Sequence, residues 1–318
     1  LRLLSKNYNE DIEIRETIDY ARVLYNKGLY RQSLDVLDKA KQKADQGHFD
    51  TLKLEVLEFE KRIEGQYVTR SIEGRAEQLS KESIDTTNLL YRANQFSNLS
   101  LQMYALYLKV GYVRNEKDYH YVKDIFNSRL PEVSYDQLNF WGKVYHCKAF
   151  YWFYHMTQDF PRCYRYSERW LDLFQQHQEA IQLHPAEYLK GLHKLLNALF
   201  NTLQHNRFRE IMQVLEQFPD QYDMAKNRNV EGLYYLFWYM HQIKLHFLEG
   251  TFSDGIVLVE PLMKLIKDNT YNWDDRRILV FYYRIACLYF ASGDNSKAID
   301  YLNLILNQKN PDYREDIQ

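Results

Sequence analysis

The sequence predicts an all-α protein, built as a single array of about seven antiparallel helix hairpins. Glycine and proline are scarce, with 11 and 6 among 318 residues, whereas sheet proteins need many tight turns. Apolar residues recur at helical spacing, as at Leu52, Val56, Phe59 and Ile63, and no segment alternates in the manner of a strand. A short polar break followed by an aromatic residue also recurs along the chain.

This recurring break sets the predicted hairpins. Four copies contain glycine, at residues 26–30, 64–67, 249–252 and 292–295, and three copies without glycine lie at 117–119, 158–160 and 206–208. We call the position of the aromatic residue after each break its aromatic slot. These slots are Tyr30, Tyr67, Tyr119, Phe160, Phe208, Phe252 and, with asparagine in place of an aromatic residue, Asn295. Their spacing of roughly 44 residues fits two helices and two turns. We therefore predict one array over 1–318, with hairpins at approximately 10–45, 48–82, 87–130, 134–179, 184–218, 228–268 and 272–308.

Local boundary chemistry supports this division. Ser134 and Gln137 have the spacing of a capping box, and Pro185 suits the first position of a helix. Pro261 lies inside the second helix of the sixth hairpin, where it should kink the helix or end it early.

Composition excludes several classes of protein. Apolar residues make up 46% of the chain, so a core can form, and the net charge of −2 disfavours nucleic acid and anionic membranes as partners. No apolar run reaches the roughly 18 residues that a membrane span needs. The three cysteines, an odd and widely spaced set, indicate buried thiols in a reducing compartment. We therefore expect a cytoplasmic protein.

Three of the turns resemble the tetratricopeptide repeat, in which small and aromatic residues hold fixed offsets from a turn glycine. Around Gly28 the slots hold Ala21, Leu24, Tyr30, Ser33 and Ala40; around Gly293, Ala286, Tyr289, Asn295, Ala298 and Ile305; around Gly250, Ile243, His246, Phe252, Gly255 and Leu262. The spacing exceeds the family's usual value of about 34 residues. The resemblance implies a divergent, long-helix member: a right-handed α-solenoid that binds proteins or peptides and has no enzymatic activity.

Aromatic residues are in excess, with 28 Tyr, 17 Phe and 5 Trp, and the runs 150–154 and 234–239 are aromatic on all helix faces. Packing between hairpins is the main interpretation, and the alternative is that part of each run lines a binding groove. In the resembling family the inner face of each first helix lines that groove. The corresponding residues here are Arg22, Tyr25, Tyr107, Arg114, Lys148, Trp152, His155, His193, Phe200, Lys244, Phe247, Tyr283 and Phe290. This mixture of basic and aromatic side chains suits an extended acidic or aromatic peptide.

The sequence contains no motif that predicts a metal site, a bound cofactor or an enzymatic activity. The histidine pairs 146 and 155, 184 and 193, and 241 and 246 lack the i, i+4 spacing of a helical zinc site. No phosphate-binding loop or nucleophile elbow occurs. A catalytic pair assembled from distant hairpins would be visible only in space. One helix face carries three arginines, Arg162, Arg165 and Arg169. Because the net charge of the chain is close to zero, a solvent-exposed face is the main interpretation, and a contact with phosphate or nucleic acid is the alternative.

The leading functional hypothesis is therefore a non-enzymatic scaffold that binds a protein or peptide. The alternative is the peptide-sensing module of a larger signalling or transcription regulator, because the chain begins at Leu1 and its long repeats suit such a module. A terminal hairpin without a polar cap would also favour a homodimer.

Overall fold

A computed structural model describes residues 10–66 and 74–307, and all regular structure within those ranges is helical. This confirms the prediction of an all-α protein. The α-helices are α1 (Glu10–Asn26), α2 (Tyr30–Gln46), α3 (Asp50–Gln66), α4 (Arg75–Val110), α5 (Glu116–Arg129), α6 (Phe140–Met156), α7 (Phe160–Gln176), α8 (Glu179–Leu183), α9 (Pro185–Asn201), α10 (His205–Glu216), α11 (Phe218–Gln221), α12 (Arg228–Glu249), α13 (Phe252–Gly255), α14 (Val259–Lys267), α15 (Asp275–Ala291) and α16 (Asn295–Leu306).

The contacts divide the chain into two compact units, where the sequence predicts one array. Unit 1 comprises the described residues of 1–102, 125–149 and 173–183, and unit 2 those of 103–124, 150–172 and 184–318. No helix in the described part of either unit is long and apolar enough to cross a membrane.

The first hairpin of unit 1 forms where the sequence places it, from α1 and α2. Gly28 makes the turn at φ 77°, a left-handed conformation that glycine adopts without a steric cost. Ala21 and Ser33 are fully buried where the two helices meet, and the Ser33 hydroxyl donates to the Ala21 carbonyl at 2.8 Å. Small side chains therefore allow the two helices to approach closely.

Two turns of unit 2 also lie where the sequence predicts them. Gly250 ends α12 at φ 71°, and Gly293 connects α15 to α16 at φ 90°. The slots for small residues beside Gly293, Ala286 and Ala298, are buried. The aromatic slot at Phe160 likewise begins α7.

Other predicted boundaries are wrong. Two turns that the sequence predicts at breaks without glycine lie upstream of their predicted places, at residues 111–115 and 202–204, because α5 and α10 begin earlier. The first of these turns contains Gly111, at φ 68°. Residues 64–66 belong to the end of α3 and make no turn, and the slot at Tyr67 lies outside the described residues.

The largest correction concerns α4. The sequence predicts that one hairpin ends near residue 82 and the next begins near 87, yet α4 continues without a break over 36 residues. Neither glycine nor proline occurs between Arg75 and Val110, so no residue in this stretch is a strong helix breaker.

Two predictions of local chemistry are confirmed. Ser134 and Gln137 form a capping box, here on the 3₁₀ turn Tyr135–Gln137, and Pro185 begins α9. Pro261 lies in the first turn of α14, after the 3₁₀ segment Ile256–Leu258, and the helix continues past it to Lys267, so it does not end early. A proline cannot donate to the carbonyl four residues earlier, and its ring clashes with that carbonyl.

None of the three cysteines, all of which the structure describes, forms a disulfide. Cys147 and Cys163 are fully buried, as predicted, whereas Cys287 is partly exposed.

Candidate ligand-binding site

A cluster of polar side chains lies between the first helices of successive hairpins in unit 2. Helix α9 packs on α12, and α12 packs on α15. His193 and Asn197 lie one turn apart on α9, and His241 and Lys244 lie three residues apart on α12. Arg284 is the contribution of α15. We call these five residues the cationic cluster.

Hydrogen bonds connect four members of the cationic cluster in a chain. The Lys244 ammonium donates to Asn197 Oδ1, and Asn197 Nδ2 lies 3.0 Å from His193 Nε2. His193 Nδ1 in turn lies 2.9 Å from His241 Nε2. Because Lys244 can only donate when it is charged, Asn197 Nδ2 must be the donor to His193 Nε2. This assignment places the His193 proton on Nδ1 and the His241 proton on Nδ1.

The hydrogen-bond chain therefore ends on an unsatisfied donor. His241 is fully buried, and its Nδ1 has no hydrogen-bond partner among the described residues. The Arg284 Nε atom is also buried without a partner. Buried N–H groups normally have an acceptor, so two unsatisfied donors in one cluster are unusual.

The positive charges of the cationic cluster have no counter-charge nearby. Lys244 is only 4% exposed, and neither it nor Arg284 forms an ion pair with a carboxylate of the described residues. Burial, with the nearby charges of Arg284 and Lys194, holds the pKa of Lys244 well below its ordinary value. Burial also lowers the pKa of Arg284 to about 10.

The two imidazoles respond to the same surroundings. Burial is the main cause that lowers the pKa of both His193 and His241, and the positive charges of Lys194, Lys244 and Arg284 lower them further. Each imidazole is therefore neutral at pH 7. The ring of His193 is also held in place by Phe237, on which it stacks with centroids 4.2 Å apart.

An aromatic cluster borders the cationic cluster through Lys194 of α9. The Lys194 ammonium lies 3.9 Å from the ring centroid of Trp152, a cation–π contact. Trp152 packs against Tyr107, and His155 lies within 3.2 Å of the Tyr112 hydroxyl. The structure thus brings the predicted residues Tyr107, Trp152 and His155 together, but Tyr107 and His155 are buried, and only Trp152 is partly exposed.

The remaining predicted residues of unit 2 differ in their surroundings. Phe200 lies beneath Lys244, with the ammonium 4.6 Å from the ring centroid, whereas Phe247 packs against Phe252 at the turn. Tyr283 and Phe290 are exposed by 48% and 69% on α15. Arg114 is exposed in the turn before α5.

Each of the three predicted groove residues in unit 1 already contacts another side chain of the protein. Arg22 forms ion pairs with Asp19 at 2.8 Å and Glu55 at 2.5 Å, and it borders an open depression of about 400 Å³. The Tyr25 hydroxyl donates to Gln66, and Lys148 lies over the ring of Tyr145. Since its cation is already paired, Arg22 offers less to a ligand than the cationic cluster does.

The three arginines of α7 are also not an isolated basic patch. Arg162 pairs with Asp159 at 3.1 Å and lies over the ring of Tyr154, and Arg169 lies over the ring of Tyr166. These contacts favour the solvated-face interpretation.

Sequence reasoning named His193, Phe200 and Lys244 but missed Asn197, His241 and Arg284 as site members. It paired His241 with His246, whereas its partner is His193 on another helix. One signal was available within α9, because Asn197 follows His193 by one turn and therefore shares its face.

The chain matches no family model, no curated protein and no solved structure. The interpretation of the site therefore depends on the chemistry of its own residues.

Proposed function

We propose that this chain is a non-enzymatic scaffold that binds a protein or peptide partner through an acidic group placed at the cationic cluster. The single observation that carries the proposal is the pair of basic side chains Lys244 and Arg284, which have no carboxylate partner among the residues that the structure describes. Burying a charge without a counter-charge is costly, and a carboxylate from a ligand would remove that cost.

The unsatisfied donors support the same chemistry. An anion has several acceptor lone pairs, and the buried N–H groups of His241 and Arg284 find no acceptor within residues 10–66 and 74–307. Asn197 and His193 are partly exposed, so solvent reaches one side of the cluster. An acidic side chain approaching that side would meet donors from α9, α12 and α15.

The neighbouring aromatic side chains favour a peptide over a small anion. Trp152 retains exposed surface beside Lys194, and Tyr283 does so beside Arg284. Aromatic and arginine side chains are the groups that dominate peptide recognition. The stacking of first helices α9, α12 and α15 also suits the larger proposal of a right-handed α-solenoid, whose inner face would carry this site.

The experiment is a binding screen of fluorescent peptides with alternating acidic and aromatic residues, read by fluorescence polarisation. We expect binding that weakens at least about tenfold in Lys244→Met and Arg284→Gln, because each removes a charged donor. Each peptide is also tested with its acidic residues replaced by the corresponding amides, which should abolish the dependence on Lys244 and Arg284.

Arg22→Gln is the matched control, since Arg22 is a predicted groove residue whose charge is already paired. It should bind peptides as the unaltered chain does. Equal affinity of the unaltered chain, Lys244→Met and Arg284→Gln for every peptide, or no peptide bound at all, would refute the proposal.

A further inference from the structure

Three potential metal ligands meet in unit 1, although they come from distant parts of the sequence. His48 lies in the turn between α2 and α3, His177 follows the last residue of α7, and Glu179 begins α8. Each offers one ligand atom, and these three atoms all lie within 4.8 Å of one another. Local spacing could not reveal this group, because its two histidines share neither a helix nor a turn.

Two contacts hold His48 in place, one through its backbone carbonyl and one through the face of its ring. Its backbone adopts φ 57°, which is uncommon for a residue other than glycine, and its carbonyl accepts a hydrogen bond from Trp141 Nε1 at 2.9 Å. Its ring stacks on Phe140 with centroids 4.4 Å apart and planes 5° from parallel. The same left-handed conformation occurs at Gln158 and Leu203, so it belongs to the turn, and the stacking on Phe140 is the contact that holds the imidazole.

The same phenyl ring also positions His177. His177 meets Phe140 edge to face, with centroids 5.6 Å apart, and it meets His48 at 4.8 Å with the two imidazoles perpendicular. The His177 Nδ1 atom lies 3.6 Å from Glu179 Oε1. Phe140 thus acts as a common support for two imidazoles, and the carboxylate lies beside one of them.

We propose that His48, His177 and Glu179 bind a divalent transition metal, with Zn²⁺ as the best fit. Two imidazoles and one carboxylate are a ligand set that zinc uses, and it leaves a fourth position for water or another ligand. Zinc bonds of about 2.0–2.2 Å place tetrahedral ligand atoms roughly 3.4 Å apart. The separation of His177 and Glu179 is already close to this value, and rotation of the exposed Glu179 and partly exposed His177 closes the rest.

The proposal differs from a purely structural interpretation in one respect. If these residues served only to stabilise the fold, the aromatic stacking and the contact between His177 and Glu179 would be sufficient, and the chain would bind no metal ion specifically. A metal site requires both imidazoles together, so removing either one must abolish tight binding.

The test uses the full chain, freed of metal by a chelator and then titrated with Zn²⁺ against a chromophoric chelator of known affinity. We expect one tightly bound ion per chain, with affinity at least about tenfold lower in His48→Gln, His177→Gln and Glu179→Gln. Co²⁺ replaces Zn²⁺ in a second titration, where a tetrahedral site gives intense visible absorption bands. Circular dichroism establishes that each variant is folded, and the exposed Glu179→Gln provides the variant least able to disturb folding.

His120→Gln is the matched control. His120 and Glu116 form a surface pair on α5 at the same 3.6 Å separation, without a second imidazole in the pair. The control should leave zinc affinity unchanged. The proposal is overturned if the unaltered chain binds Zn²⁺ no more tightly than folded Glu179→Gln and His177→Gln do, or if His120→Gln weakens binding equally.

Discussion

The ammonium group of Lys244 on α12 donates a hydrogen bond to the side-chain oxygen of Asn197 on α9, a neutral acceptor, and to no carboxylate of the described residues. The charged form of a buried lysine that pairs only with an amide is destabilised, which is why burial lowers the pKa of Lys244. This relationship links the stability of unit 2 to its proposed binding function.

Lys244→Met should therefore stabilise the chain while it weakens binding of acidic peptides. Methionine has a similar shape and carries no charge to desolvate, so we expect the free energy of unfolding at pH 7 to rise by about 1–2 kcal/mol. Urea unfolding followed by circular dichroism measures the change. Lys297→Met, which removes an exposed lysine near Asp294, is the control and should change stability by less than about 0.5 kcal/mol. A marked loss of stability in Lys244→Met would show that the Lys244 charge is compensated.

The histidines of the cationic cluster should destabilise the fold on acidification. The pKa values of His193 and His241 are lower in the folded chain than the ordinary 6.5, so as pH falls below 6.5 the unfolded chain takes up protons first. Stability therefore falls with decreasing pH until it passes the folded pKa values. We expect His241→Gln to reduce this fall between pH 7 and pH 5 by up to about 1.4 kcal/mol for each unit of pKa difference. Urea unfolding across that range, with exposed His120→Gln as the control, measures it; equal slopes in both variants would contradict the assignment.

Removing the lysine of the buried ion pair between Lys41 and Glu60 in unit 1 should destabilise the chain, in contrast to Lys244→Met. Glu60 is fully buried, its carboxylate lies 2.9 Å from the Lys41 ammonium, and burial raises its pKa despite that partner. Lys41→Met leaves the carboxylate buried, with Arg75 at 3.6 Å as the remaining basic partner among the described residues, and we expect the free energy of unfolding to fall by about 3 kcal/mol. The double variant Lys41→Met with Glu60→Leu should recover most of the loss in urea unfolding at pH 7. A double variant no more stable than Lys41→Met would show that packing, and not the stranded charge, causes the loss.

Two glycine substitutions test the correction at the end of α3. Gly65 is helical with open space around it, so Gly65→Ala should raise the free energy of unfolding by about 0.5–1 kcal/mol. Gly293 also has open space but adopts φ 90°, so Gly293→Ala should lower it by about 1 kcal/mol through backbone strain alone. Thermal or urea unfolding of both variants measures the contrast. If Gly65→Ala destabilised the chain as much as Gly293→Ala, residue 65 would lie in a turn as the sequence first indicated.

Local chemistry explains which parts of the fold were predictable. The turns at Gly28, Gly250 and Gly293 depend on residues within a few positions of one another, and the sequence alone predicts them. The predicted boundary at 117–119 is displaced because the turn begins at Gly111, which adopts φ 68°. The turn that replaces 206–208 has Leu203 at φ 53° and no glycine, so it has no comparable local signal. The predicted break within α4 came from spacing alone, and the local sequence contained no breaker to produce it.

The candidate sites separate local from tertiary information in the same way. The sequence by itself determined an all-helical chain, the turns at Gly28, Gly250 and Gly293 and a set of basic and aromatic side chains on the first helices, because each depends on neighbours along the chain. Only the tertiary structure decided that His193 meets His241, that Lys244 has no carboxylate partner in the described part of the chain, and that His48 lies beside His177. Those relationships join residues of different helices and turns, and only the packing of those elements sets the distance and burial of such pairs.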